Sequence, residues 1–154
     1  MSVHLSLHGA QVKQFKNALQ CLNKIGSELL VEAANGKLVL RTISTSKSAF
    51  FAVTFFASFF DVFNIVDSEV VQTGVLLKHV LATFRTKAIA RYEIQLDTAR
   101  SQTLVCVQTD IGLSKRYRIE CLQADILQAT VDVDSFPTKL VAEVGELGRA
   151  LGTT

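Results

Sequence analysis

Three runs between residues 91 and 121 alternate apolar and polar side chains with a period of two. Tyr92, Ile94 and Leu96 interleave with Arg91, Glu93, Gln95 and Asp97. Residues 103–109 behave the same way, and in 115–121 Tyr117, Ile119 and Cys121 share one face. Successive side chains of a strand point to opposite faces, so regular alternation predicts antiparallel strands with one buried and one wet face. The fold is therefore built on an antiparallel sheet.

The preceding residues add to it. A short alternating run spans 3–7. From 10 to 22, Val12, Phe15, Leu19 and Leu22 recur at spacings of three and four, the apolar stripe of a helix, with Gly26 as its stop signal. Residues 28–33 and 37–43 flank Ala34-Asn35-Gly36, whose Asn-Gly predicts a hairpin turn. In 49–56 both alternate faces are apolar, which predicts a strand covered on both sides or one with an exposed second face. Residues 70–75 read as a strand, and Leu77, Val80, Leu81 and Phe84 as the stripe of a second helix. The order β-α-β-β-β-β-α-β-β-β places the chain in the α+β class, two helices on antiparallel sheet. Its 154 residues, 49% hydrophobic, suit one domain or one domain and part of another. Residues 123–137 carry the only Pro and little periodicity, as a linker would. Residues 139–143 then read as a strand and 144–151 as a helix, like the opening of a further domain.

Few residues are arranged for chemistry. His4, His8 and His79 show no HxH or HExxH spacing, so neither a metal nor a cofactor is expected. No glycine-rich phosphate loop is followed by Lys-Ser/Thr, and no acid pair is spaced for proton transfer. The three cysteines, Cys21, Cys106 and Cys121, form no CxxC; they read as small buried hydrophobes in a reducing, intracellular protein. The N-terminus MSVHLSLHG lacks the basic and apolar regions of a secretion signal. The longest uncharged stretch, 48–60, is well short of the roughly 20 residues of a membrane helix, so no membrane association is expected. Seven of the ten Phe fall between Phe50 and Phe63. They are expected to divide between ordinary core and an interface.

Charge placement is more telling than the net charge of +2. The first helix contains Lys13, Lys16 and Lys24 and no acid. At 100° per residue, Lys13, Asn17, Gln20 and Lys24 lie opposite the core stripe, with Lys16 on the shoulder. The second helix repeats the bias with Lys78, His79, Arg85 and Lys87. All fourteen acids lie elsewhere. A solvated face would explain one such helix; two point to a polyanion-facing surface. Cations interleaved with Gln and Asn suit phosphate contacts that position a duplex without reading bases. The absence of aromatic residues on those faces argues against single-strand stacking.

Particular strings carry a resemblance. Leu22-Asn23-Lys24-Ile25-Gly26-Ser27-Glu28-Leu29, Leu38-Val39-Leu40-Arg41-Thr42, Ser46-Lys47-Ser48-Ala49-Phe50, Phe59-Phe60, Leu76-Leu77-Lys78 and Phe84-Arg85 follow one another in order. Together with the element order, they resemble the Rad-nine-type subunit of the heterotrimeric checkpoint clamp, the nine-one-one complex, within the PCNA-like sliding clamps. The resemblance runs over roughly 1–151.

It implies a non-enzymatic nuclear protein whose helices line a ring around duplex DNA and which serves as a platform for checkpoint and repair factors. Lys13 and Arg85 resemble channel-lining positions; Lys16, Lys24, Lys78 and Lys87 join them by helix face. It also implies that Lys115, Arg116, Tyr117, Arg118 and Ile119 form the edge strand against a neighbouring subunit. Ile43, Phe50, Val131 and Val133 would wall a pocket for partner peptides. The implied partners are two further clamp subunits, Rad-one-like and Hus-one-like, and a clamp loader. The implied organisation is a first clamp domain at 1–122, a connector at 123–137 and the start of a second domain at 138–154. Such a chain lacks a second intersubunit edge and by itself would not close a ring. Three competing readings are a replicative processivity clamp, which the quoted strings disfavour, a small hot-dog-type enzyme, whose helical acid neither helix supplies, and a protein-interaction module whose basic faces are merely solvated.

Overall fold

Antiparallel pairing sorts the strands into two sheets. A computed structural model describes residues 3–66, 70–123 and 132–152. In chain order it contains β1 (Val3–His8), α1 (Ala10–Asn23), β2 (Glu28–Ala34), β3 (Lys37–Ile43), β4 (Phe50–Phe56), β5 (Val62–Ile65), β6 (Val71–Leu76), α2 (Leu77–Ala82), β7 (Ile89–Asp97), β8 (Gln102–Thr109), β9 (Ser114–Glu120) and α3 (Val144–Gly152). One sheet has the order β5-β1-β7-β8-β9, the other β4-β3-β2-β6. The two meet where Gly74 of β6 exchanges backbone hydrogen bonds with Leu122, just past β9.

The alternation in sequence becomes alternation in burial. Tyr92, Ile94 and Leu96 of β7 are buried, as are Thr103, Val105 and Val107 of β8. Pairing aligns Tyr92 with Val107 and Ile94 with Val105 on one face. The β2–β3 hairpin ends on the pair Ala34–Lys37, so the turn is Asn35-Gly36. Gly36 sits there at φ 73, a left-handed geometry that glycine adopts without a Cβ clash.

α1 lies across both sheets with Val12, Phe15, Leu19 and Leu22 buried. Phe15 is its anchor: the ring centroids of Phe55, Phe60, Tyr92 and Phe84 lie 5.1–6.4 Å from its own. Phe55 belongs to one sheet and Tyr92 to the other, so one side chain joins three elements. Of the Phe-rich segment, Phe55 and Phe60 are core, Phe51, Phe59 and Phe63 pack partly against it, and Phe56 is 65% exposed. Phe56 shares the outer face of β4 with Ala52 and Thr54, all exposed, while Phe55 points the other way into the core.

The structure corrects several expectations. β5 was not anticipated: its four residues are too few for a periodicity signal, and only pairing with β1 makes it a strand. The second helix does not continue regularly to Lys87; α2 ends at Ala82 and a 3-10 turn, Thr83–Arg85, follows. Cys21 is exposed rather than buried, and Cys106 and Cys121 are half-buried, because Cys21 falls beside the apolar stripe and not within it. Residues 139–143 form no strand and are exposed; among the described residues no sheet edge pairs with them, and strand conformation needs such a partner. A 3-10 turn occupies Val133–Ser135, and α3 follows where a helix was expected, all its residues exposed. Of the connector, 124–131 lie outside the described residues.

Candidate nucleic-acid interface

The burial of one stripe on each helix dictates what the opposite face presents. With Val12, Phe15, Leu19 and Leu22 turned inward, Lys13, Asn17, Gln20 and Lys24 are exposed and Lys16 is half-buried at the shoulder. On α2 Leu77 and Val80 point inward, continued by Thr83 and Phe84 of the 3-10 turn. Lys78, His79, Arg85 and Lys87 are left exposed.

The helices pack side by side. An open groove of about 690 Å³ lies between them, lined by Lys16, Asn17, Gln20, Cys21, Asn23, Lys24, Leu81, Phe84 and Arg85. The structure thus brings Lys16, Lys24 and Arg85 together. Lys13 lies one turn nearer the start of α1, and neither it nor Lys78 nor Lys87 lines the groove. None of these six cations takes part in an ion pair among the described residues. Unpaired cations at an exposed surface sum into a positive potential that extends about 8–10 Å at physiological salt.

The best-held carboxylate lies far from this face. Glu32 on β2 accepts hydrogen bonds from Arg41 on β3 and Gln72 on β6, each at 2.9 Å. The Arg41 guanidinium holds its carboxyl below the usual glutamate range, against the opposing effect of burial. On the outer face of the larger sheet, Glu93 is paired with Arg91 at 2.9 Å. Arg41 and Arg91 on the sheets are thus paired with carboxylates, whereas the helix cations are not, among the described residues.

β9 stands at the edge of the five-stranded sheet, bonded among the described residues to β8 alone. Lys115, Arg116 and Arg118 are exposed on it, Tyr117 is half-buried and Ile119 is buried. Ile43 and Phe50 line a cavity of about 330 Å³ with Arg41, Thr42, Lys47, Leu122 and Gln123 among others. Val133 is 70% exposed in its 3-10 turn and does not line that cavity; Val131 lies outside the described residues. Leu122 and Gln123 were missed from sequence, since nothing local announces the bridge to Gly74 that places them there.

Comparison with known proteins supplies the family. The sequence model of the Rad9 family matches residues 15–152. Over 133 residues the chain is 23% identical to the cell cycle checkpoint control protein Rad9 of Drosophila melanogaster, an alignment covering 86% of this chain and 29% of that protein. The fold is similar to PCNA from Thermococcus kodakaraensis, with a TM-score of 0.73 at 12% identity over 88% of this chain and 52% of that one. A chain of the PCNA2–PCNA3 complex from Sulfolobus tokodaii gives 0.70 at 13% identity, over 90% and 51%. The chain thus spans under a third of its checkpoint relative and about half of each clamp chain.

Proposed function

Because the chain belongs to the Rad9 family, we propose that it acts as a clamp domain of a checkpoint sliding-clamp subunit, a non-enzymatic nuclear scaffold held around duplex DNA. The observation that carries this reading is the pair of acid-free helices packed side by side, with six unpaired cations between Lys13 and Lys87 on or around their exposed faces. A ring retains DNA by topology, so weak contacts to phosphates suffice and base recognition is unnecessary. Lys16, Lys24 and Arg85 line the groove nearest the duplex, with Lys13, Lys78 and Lys87 flanking them.

In this reading residues 1–122 are the clamp domain, 123–137 the connector and 138–154 the start of a second domain. The unpaired edge of β9 meets a neighbouring subunit, and the partner subunits are Rad-one-like and Hus-one-like. A clamp loader and repair or checkpoint proteins are the further partners. Ile43 and Phe50 receive partner peptides at the cavity beside Leu122.

Nuclear magnetic resonance with an unlabelled duplex at low salt tests the central claim on the chain itself. Amide shifts are expected along the exposed faces of α1 and α2, alike for two unrelated DNA sequences. Shifts confined to the outer sheet faces, or dependent on base sequence, would overturn it.

A further inference from the structure

Resting on the reading of β9 as the intersubunit edge, we propose that this edge selects a partner strand bearing acidic side chains at alternate positions, facing Arg116 and Arg118 on the outer side of the sheet. The side-chain register shows why. Arg116 and Arg118 lie opposite Cys106 and Leu104 of β8 and border an open depression with Glu93 and Gln95. Neither guanidinium has an acidic partner among the described residues. The nearby carboxylates are already engaged: Glu93 with Arg91 at 2.9 Å, and Glu120 with the amide of Gln102 at 3.0 Å. On the outer face of β9 the single carboxylate of Glu120 stands against two guanidinium groups, so the strand keeps a net positive charge there.

A strand adding to the free edge places its side chains about 5 Å from their cross-strand neighbours. Arg116 and Arg118 are two residues apart, about 7 Å along the strand. Carboxylates at alternate positions match that spacing, and like charges directly opposite would repel. Pairing of β9 with a second β9 sets Arg116 against Arg118 in the register centred on Tyr117; in the register centred on Arg118 two Arg116–Glu120 pairs are offset by an Arg118–Arg118 contact, so a strand with acids at both positions fits the edge better than a second β9. The other edge strands β4, β5 and β6 contain no acid, so through them a second copy of the chain offers the arginines no countercharge. The occupant is consequently a strand of a different polypeptide.

Seven-residue fluorescent peptides in which Thr alternates with Glu, Gln or Lys test this by anisotropy at low ionic strength, with amide exchange of β9 as a second readout. The Glu peptide is expected to bind roughly tenfold tighter than the Gln peptide and to protect the β9 amides. The preference is expected to vanish in Arg116→Gln/Arg118→Gln and to turn towards the Lys peptide in Arg116→Glu/Arg118→Glu, with exchange in α1 unchanged as the control for folding. Equal affinity of all three peptides with β9 protected would overturn charge selection and leave the edge reading standing. No protection of β9 by any of them would overturn both.

Discussion

The phenol oxygen of Tyr92 lies 2.7 Å from the hydroxyl of Thr83, which donates to the carbonyl of Val80 at 2.6 Å. Both side chains are buried, and the Tyr92 ring stacks on Phe84 at 4.4 Å. A central strand is thus fastened to the 3-10 turn that presents Arg85. Burial pushes the Tyr92 phenol above its ordinary pKa, so at any physiological pH it keeps the proton that it donates to the Thr83 hydroxyl.

Tyr92→Phe removes that fastening and keeps the ring. One net buried hydrogen bond is worth about 1 kcal/mol, and chemical denaturation should show a loss of that order. Faster amide exchange from Thr83 to Arg85 should accompany it, with α1 unaffected.

Glu32→Gln tests the carboxylate between Arg41 and Gln72. Hydrogen bonds to a charged group contribute about 1.5–3 kcal/mol, and a loss towards the lower end is expected at pH 7. The folded-state pKa of Glu32 is lowered, so its contribution is present above the unfolded-state value and lost as pH falls through the folded one. The stability difference between wild type and variant should therefore shrink on acidification below the ordinary glutamate range. A difference independent of pH would contradict the charge-assisted account.

Gly26 follows α1 in a position where a Cβ would meet the Thr42 hydroxyl at 2.1 Å and the Ile43 carbonyl oxygen at 2.6 Å. Thr42 is itself fixed by donating to the carbonyl of Glu28 at 2.7 Å. Gly26→Ala should cost about 1–3 kcal/mol by overpacking, seen as a lowered melting temperature. A gain in stability would show that the helix end simply moves aside.

Lys13→Ala combined with Arg85→Ala should weaken duplex binding while leaving the denaturation midpoint nearly unchanged, since both side chains are exposed. Each lost phosphate contact lowers the salt slope of the binding constant by about 0.9. Retention on closed-circular DNA by the assembled clamp should fall most at low salt. Unchanged retention there would overturn the proposal that these residues face duplex DNA.

Much of this was legible in the residues themselves. Alternation at 91–97 and at 103–109, the stripe from Val12 to Leu22 and the Asn35-Gly36 turn each state their local geometry, because a strand and a helix impose different periods on burial. The basic helix faces were equally visible, since the inward stripe fixes the outward one. Other features were not local. β5 exists only through its pairing with β1, and α2 gives way to a 3-10 turn around the Thr83–Tyr92 hydrogen bond. Phe56 is exposed because its side of the sheet, shared with Ala52 and Thr54, is left uncovered.

The same division holds for the candidate site. Sequence placed Lys16, Lys24 and Arg85 on polar faces, but their meeting in one groove depends on how α1 and α2 pack around Phe15 and Phe84. Periodicity fixes which way a side chain points from its own element. Which element lies opposite is set by long-range packing, and only the folded chain decides it.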